Sequence, residues 1–172
     1  MFRFFFLTAV LVFVSCGTTV NYDYEKETNF SKYRAYTFYH NLDSGLNELD
    51  DKRIKRAIDS MMPLQGFTKS DYASFYINFH TTEGVARSRN TLGVGIGSGG
   101  GNVVVGISGG IPIGGNVIEQ IVTFDFIDAL TDTLIWQAVG KCELKEKSSP
   151  EQKDQHYRKL IAKMLKGFPP KK

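Results

Sequence analysis

The chain has 172 residues, 42% of them hydrophobic and 13% aromatic, with only two cysteines, the composition of one ordinary globular domain. This excludes a disordered tail, which lacks a core, a collagen-like fibre, which needs glycine at every third position, and a disulfide scaffold, which needs many cysteines. With 21 basic against 18 acidic residues the net charge is only +3, too small to point to a nucleic-acid partner.

The first element in chain order is an address and not a fold element. Arg3 is the only charge ahead of an apolar run from Phe4 to Val14. The run is too short to span a bilayer, which needs a helix of ~20 residues, and it ends in a small residue beside Cys16. Phe13-Val14-Ser15-Cys16 resembles the bacterial lipobox, in which a peptidase cuts before a cysteine that carries diacylglycerol. The expectation is a cleaved signal at residues 1–15, lipidation at Cys16 and a short linker over 16–20. Several acyl chains on one cysteine make a durable anchor, since each buried methylene contributes about 0.8 kcal/mol. Cys142 is the remaining cysteine of the mature chain. It lies in a strand-like run, where a packed small apolar residue is expected rather than a reactive thiol.

Asn21 to Glu25 alternates aromatic and polar residues as a short strand does. Arg34 to His40 does the same, with Tyr36 and Phe38 on one face and turn residues from Asn29 to Lys32 before it. Between Leu49 and Leu64 the apolar positions Ile54, Ala57, Ile58, Met61 and Met62 take helical spacing. Asn47 is positioned to cap this helix, and Pro63 and Gly66 to end it. From Asp71 to Thr81 alternation returns, with Ala73, Phe75, Ile77 and Phe79 on one face. Val117 to Ala129 and Leu134 to Leu144 read as a hairpin joined by a turn at Leu130 to Thr133. The last element is a helix with Ser149 as cap, Pro150 at its first position and Gln152 closing a capping box, followed by an apolar stripe from Tyr157 to Phe168. Two amphipathic helices and at least five alternating strands predict an α+β fold, a mainly antiparallel sheet with both helices on one face.

Cys16 with Asn21-Tyr22-Asp23-Tyr24, then Phe30-Ser31-Lys32-Tyr33-Arg34-Ala35-Tyr36-Thr37-Phe38, then Phe124 to Ala129 with Leu134-Ile135-Trp136, and finally Phe168-Pro169-Pro170, resembles the bacterial lipoprotein family catalogued as domain of unknown function (DUF) 4136. The resemblance spans almost the whole mature chain. It implies an envelope location and a fold, with residues 21–172 as a single domain, and no activity.

Eleven of the 17 glycines fall between Gly93 and Gly115, inside an uncharged stretch over 90–118. Gly95 to Gly100 satisfies a G-x-G-x-x-G pattern, but Asn102 to Val105, strand-forming residues, stand where a phosphate-binding helix should begin. Small residues at fourfold spacing also match packed membrane helices, yet a helix with this much glycine would be opposed by more than ~10 kcal/mol in water. Leu92 to Ile96 and Val103 to Ile107 could form a hairpin contributed to an oligomeric membrane barrel, although each falls short of the ~9 to 11 residues a spanning strand needs. The reading adopted is a glycine-rich β-excursion, a contact surface for an envelope protein partner.

Candidate chemistry is thin. His40, His80 and His156 are far apart in sequence, and none has metal-ligand spacing to another ligand. Asp128 and Asp132 flank a turn, where aspartate is expected, and no calcium loop accompanies them. Tyr22, Tyr24, Tyr33, Tyr36 and Tyr39 with Trp136 could stack on glycan rings or pack in a core. No catalytic, metal or cofactor site is assigned, and Cys16 is the one site residue. The predicted protein is a membrane-tethered, outer-membrane lipoprotein facing the periplasm, acting as a non-enzymatic interaction or structural module. The alternatives are a cell-wall or glycan-binding or hydrolysing protein, with Asp125, His80 or Glu119 lining a cleft, and a subunit of an oligomeric outer-membrane β-hairpin assembly.

Overall fold

The computed structural model describes residues 18–86, 91–92, 111–112 and 116–171, so Cys16, the expected signal at 1–15 and most of the glycine-rich stretch lie outside the described residues. In chain order the elements are β1 (Thr19–Tyr24), β2 (Ala35–Phe38), α1 (Glu48–Met61), β3 (Thr68–Lys69), β4 (Phe75–Ala86), β5 (Thr91–Leu92), β6 (Ile111–Pro112), β7 (Val117–Asp128), β8 (Leu134–Lys145) and α2 (Pro150–Leu165). Both helices begin where the sequence signals them. The Asn47 side chain accepts from the N–H groups of Leu49 and Asp50, and Ser149 and Gln152 close a reciprocal capping box. After α1 the chain tightens into a 3-10 turn over Met62–Gln65, which Gly66 leaves at φ +86°, a conformation that favours glycine.

Six strands form one sheet in the order β1-β8-β7-β4-β2-β3. β4, β7 and β8 are twelve residues each and pair antiparallel, and β1 adds antiparallel to β8. The sheet, expected to be mainly antiparallel, is mixed, because β2 runs parallel to both β3 and β4. A parallel pair needs a crossover longer than a turn, and α1, which follows β2, supplies it. Thr91 and Leu92 pair with Pro112 and Ile111 in the same antiparallel register that joins Phe75 to Asp128 and Ala86 to Val117.

Alternation sends one face of this sheet to the helices. Phe75, Ile77 and Phe79 from β4, Val122, Phe124 and Phe126 from β7, and Trp136 and Ala138 from β8 are wholly buried there. Against them pack Ile54 and Ile58 of α1 and Tyr157, Leu160, Ile161 and Met164 of α2. A Cβ on Gly140 would lie 2.9 Å from Leu160 Cδ1 and from Met164 Sδ, so the missing side chain is what lets α2 lie close on β8. The opposite face, bearing Tyr76, Asn78, His80, Thr123, Asp125 and Val139, has no element over it among the described residues.

Beyond α2 the chain turns back and inserts Phe168 into an aromatic cluster. Its ring centroid is 4.6 Å from Phe126, 5.2 Å from Phe67, 5.3 Å from Trp136 and 5.7 Å from Phe75. One side chain thus joins β4, β7, β8 and the segment after α1. Phe168→Ala should destabilise the domain by about 3–5 kcal/mol through lost burial and a residual cavity, whereas Leu130→Ala at the exposed turn should change stability by less than about 0.5 kcal/mol. Urea unfolding followed by tryptophan fluorescence measures both; equal effects would remove Phe168 from its role.

Candidate functional site

Two polar clusters sit on the edges of this core. The first gathers at the β7–β8 turn around Asp128, which is 4% exposed. Tyr33 Oη donates to Asp128 Oδ2 at 2.6 Å and Lys32 Nζ donates to the same oxygen at 2.9 Å. The N–H groups of Leu130 and Thr131 donate to Oδ1 at 2.8 and 3.1 Å. The aspartate therefore shapes the turn through its own backbone neighbours and ties that turn to the segment before β2. Burial alone would hinder ionisation of Asp128. The bonds from Lys32, Tyr33, Leu130 and Thr131 outweigh it and hold the carboxyl well below its ordinary 3.8. Burial chiefly, and the adjoining carboxylate, push the Tyr33 hydroxyl up. Both oxygens of Asp128 are committed, so it is a structural tie and no general base.

Beside it runs a groove of about 340 Å³ lined by Lys32, Asp71, Tyr72, Tyr76 and Leu130, with Tyr72 and Leu130 more than nine-tenths exposed on its walls. Its chemistry is contact with aromatic and apolar surface beside one cation, Lys32, and two carboxylates, Asp71 and the already engaged Asp128.

The second cluster lies between β7, β8 and α2. Gln120 is fully buried; its Nε2 donates to Glu83 Oε1 at 2.7 Å and to Tyr157 Oη at 3.0 Å. Its Oε1 is 3.1 Å from His156 Nε2, which is 3.4 Å from Cys142 Sγ. Burial lowers the His156 pKa below 6.5 and overrides the pull of Asp50 toward the charged form. Burial likewise pushes the Tyr157 hydroxyl up. Asp50 is 3% exposed and held below its ordinary value despite burial, because Lys153, Asn47 and Arg53 all donate to it.

The remaining residues singled out in the sequence separate. His40 stacks on Tyr39 and His80 stands exposed on the open sheet face. Asp125 accepts from Gln137 Nε2 at 2.7 Å, and Glu119 lies 4.0 Å from Lys141. His80, opposite Thr123, is a diagonal neighbour of Asp125 on the open face, whereas Glu119 and Asp125 are six residues apart on one strand, ~20 Å at 3.4 Å per residue, so the three do not converge on one cleft. Tyr33, Tyr36 and Trp136 are core residues, at most 1% exposed, and are withdrawn from any glycan-stacking surface; Tyr22 and Tyr24 are 42% exposed. Among the described residues no three His, Cys, Asp or Glu side chains group as metal ligands. Sequence reasoning missed the meeting of Cys142 with His156, because it depends on how α2 rotates over β8.

A mixed six-stranded sheet with two helices on one face defines an α+β domain. The chain belongs to the family described as "Domain of unknown function (DUF4136)", which matches residues 20–170. Its fold is similar to that of a PDZ domain protein from Parabacteroides distasonis, at 14% identity and a TM-score of 0.53 over 90% of this chain and 37% of that one. The chain thus spans little more than a third of that protein. It is also similar to a PelC dodecamer from Paraburkholderia phytofirmans, at 16% identity and a TM-score of 0.52 over 91% of this chain and 100% of that one. No curated protein matches the sequence.

Two pH windows follow from the clusters. Between pH 6.5 and the lower folded pKa of His156, the unfolded chain binds a proton that the folded chain refuses, so stability falls as pH falls; His156→Gln should flatten this limb. Below pH 3.8 the stability contributed by ionised Asp128 is lost as pH falls toward its depressed folded value. Asp128→Asn should cost about 2–3 kcal/mol at pH 7 and progressively less as pH falls below 3.8 toward pH 2. Urea midpoints measured from pH 2 to pH 8 check both limbs.

Proposed function

We propose that the chain is an outer-membrane lipoprotein, tethered through Cys16 and facing the periplasm, whose α+β domain is a non-enzymatic interaction module with its partner surface at the membrane end. The observation that carries this is a matter of register. Thr19, where β1 begins, is opposite Lys141; Lys141 is opposite Ile121; and Ile121 is opposite Thr82. The three residues from Cys16 to Thr19 reach at most ~10 Å. From Ile121 to Val117, and from Thr82 to Ala86, is ~13 Å in the same direction. The anchor and the roots of the uncharged segment over 90–118 therefore share one end of the sheet. The retained register of β5 with β6 supports a β-excursion growing from β4 and β7. A segment poor in side chains and rich in strand edges suits strand addition to an envelope protein.

The dodecameric state named for PelC supports a second reading, in which the partners are further copies of this chain, as in an oligomeric β-hairpin assembly. The glycan-binding or hydrolysing reading is weakened, since Tyr33, Tyr36 and Trp136 of its aromatic platform are core and Glu119 and Asp125 are apart.

Metabolic labelling with a fatty acid should mark the protein and fail to mark Cys16→Ala; label retained by that variant refutes the tether. Deleting Gly93 to Gly115 should remove at least one partner captured from crosslinked envelopes, and an unchanged set of partners refutes the docking role. Light scattering of the full chain separates a foreign partner from self-assembly.

A further inference from the structure

β8 directs Cys142, β7 directs Gln120 and α2 directs His156 to one point at the edge of the core. Their donor atoms form a triangle with edges of 3.4 Å from Cys142 Sγ to His156 Nε2, 3.1 Å from His156 Nε2 to Gln120 Oε1, and 3.9 Å from Gln120 Oε1 to Cys142 Sγ. The centre of such a triangle is ~2.0 Å from every corner, the length of a metal–imidazole bond, and a shift of ~0.3 Å within the plane, away from sulfur, reaches the ~2.3 Å of a metal–thiolate bond. We propose that Cys142, His156 and Gln120 form a partly buried binding site, at the edge of the core, for a single soft monovalent metal ion, copper(I), held by thiolate sulfur, imidazole nitrogen and amide oxygen.

Three observations besides the distances support it. The amide of Gln120 is oriented from behind, because its Nε2 is committed to Glu83 and Tyr157, and so its oxygen is turned toward His156 and Cys142. The ring nitrogen of His156 that faces both Cys142 Sγ and Gln120 Oε1 is Nε2, so one imidazole edge is aimed at the centre of the triangle. Sulfur and imidazole donors select copper(I) and zinc over hard cations.

The charge of the site separates those two metals. Cys142 is 3% exposed and Gln120 fully buried, and the thiolate is the triangle's one anionic donor. Copper(I) with one thiolate is neutral; a divalent ion leaves a net positive charge in the core, which is costly. Of the nearby carboxylates, Asp50 is balanced by Lys153 and Arg53, and Glu83, which accepts from the neutral amide of Gln120, is exposed, where water screens its charge. Binding breaks the Cys142 S–H bond, whose electron pair becomes the metal–sulfur bond while the proton leaves to solvent. His156 keeps one proton, on Nδ1, so that Nε2 faces the ion, and copper enters and stays as copper(I). In the absence of metal the same atoms are satisfied by one another, so the fold does not require it.

The test is an anaerobic titration of the full chain with copper(I) against a chromophoric copper(I) chelator, with zinc(II) titrated in parallel. The expected result is one tightly held copper(I) that survives Cys16→Ala, is lost in Cys142→Ala, and is weakened more than about 100-fold by His156→Gln, beyond the usual cost of losing an outer contact. Affinity should fall with pH as the thiol retains its proton. Copper-edge X-ray absorption on the unmutated chain should show one sulfur and two lighter neighbours, and it decides the matter if a variant loses its native circular dichroism. Copper binding unchanged in a folded Cys142→Ala, a copper shell without sulfur, absence of stoichiometric binding, or tighter binding of zinc(II) than of copper(I) would each overturn the proposal.

Discussion

From Phe75 to Ala86 β4 pairs residue for residue with β7, and β7 pairs in turn with β8 along nearly its whole length, with one irregularity at Phe126 and Ile127. Because side chains alternate, a slip of one residue in this ladder would expose Ile77, Phe79, Phe124 and Phe126 and bring Asn78, His80 and Asp125 beneath the helices. The helices have one face to cover only while that register holds. Gly140 gives α2 its close approach, and Phe168 then closes the cluster between sheet and helices.

The features proposed to be functional inherit their positions from the same ladder. One end carries the start of β1, the last residues of β4 and the first of β7, so the proposed anchor and the roots of the uncharged segment come together. The other end carries the Asp128 tie and the groove walled by Tyr72 and Leu130. Between them, opposite faces of the sheet differ in kind: one is aromatic and covered by helices, and the other is polar and uncovered among the described residues. The buried amide of Gln120 interrupts the aromatic face where α2 brings His156 and β8 brings Cys142.

Much of this architecture is legible in the sequence, and for identifiable reasons. Twelve-residue strands repeat their period often enough to declare a buried face, and Asn47, Ser149, Pro150 and Gln152 are local signals whose partners lie within three residues. The parallel pairs are not legible, because β2 has four residues and β3 two, too few to carry a pattern, and their direction depends on where α1 returns the chain. Asp128 is readable as a turn residue through its bonds to Leu130 and Thr131; its bonds to Lys32 and Tyr33 cross more than ninety residues and have no local signature. The tyrosines between Tyr22 and Tyr39 are ambiguous between core and surface because alternation alone does not say which face is covered. Cys142 is packed, as its strand-like run suggests, but nothing local to it announces His156 as its neighbour.

The central claim, that the anchored end of the sheet is the end from which β4 and β7 leave the domain, is open to a direct measurement of depth. Val85 and Leu130 are both largely exposed and mark opposite ends of a ladder ~40 Å long. A fluorophore placed at Val85→Cys or at Leu130→Cys of the lipidated chain, bound to vesicles carrying a quencher in their headgroups, reports distance from the bilayer. Strong quenching at position 85 with little at position 130 is the predicted result. Quenching at position 130 that equals or exceeds that at position 85 would contradict the account.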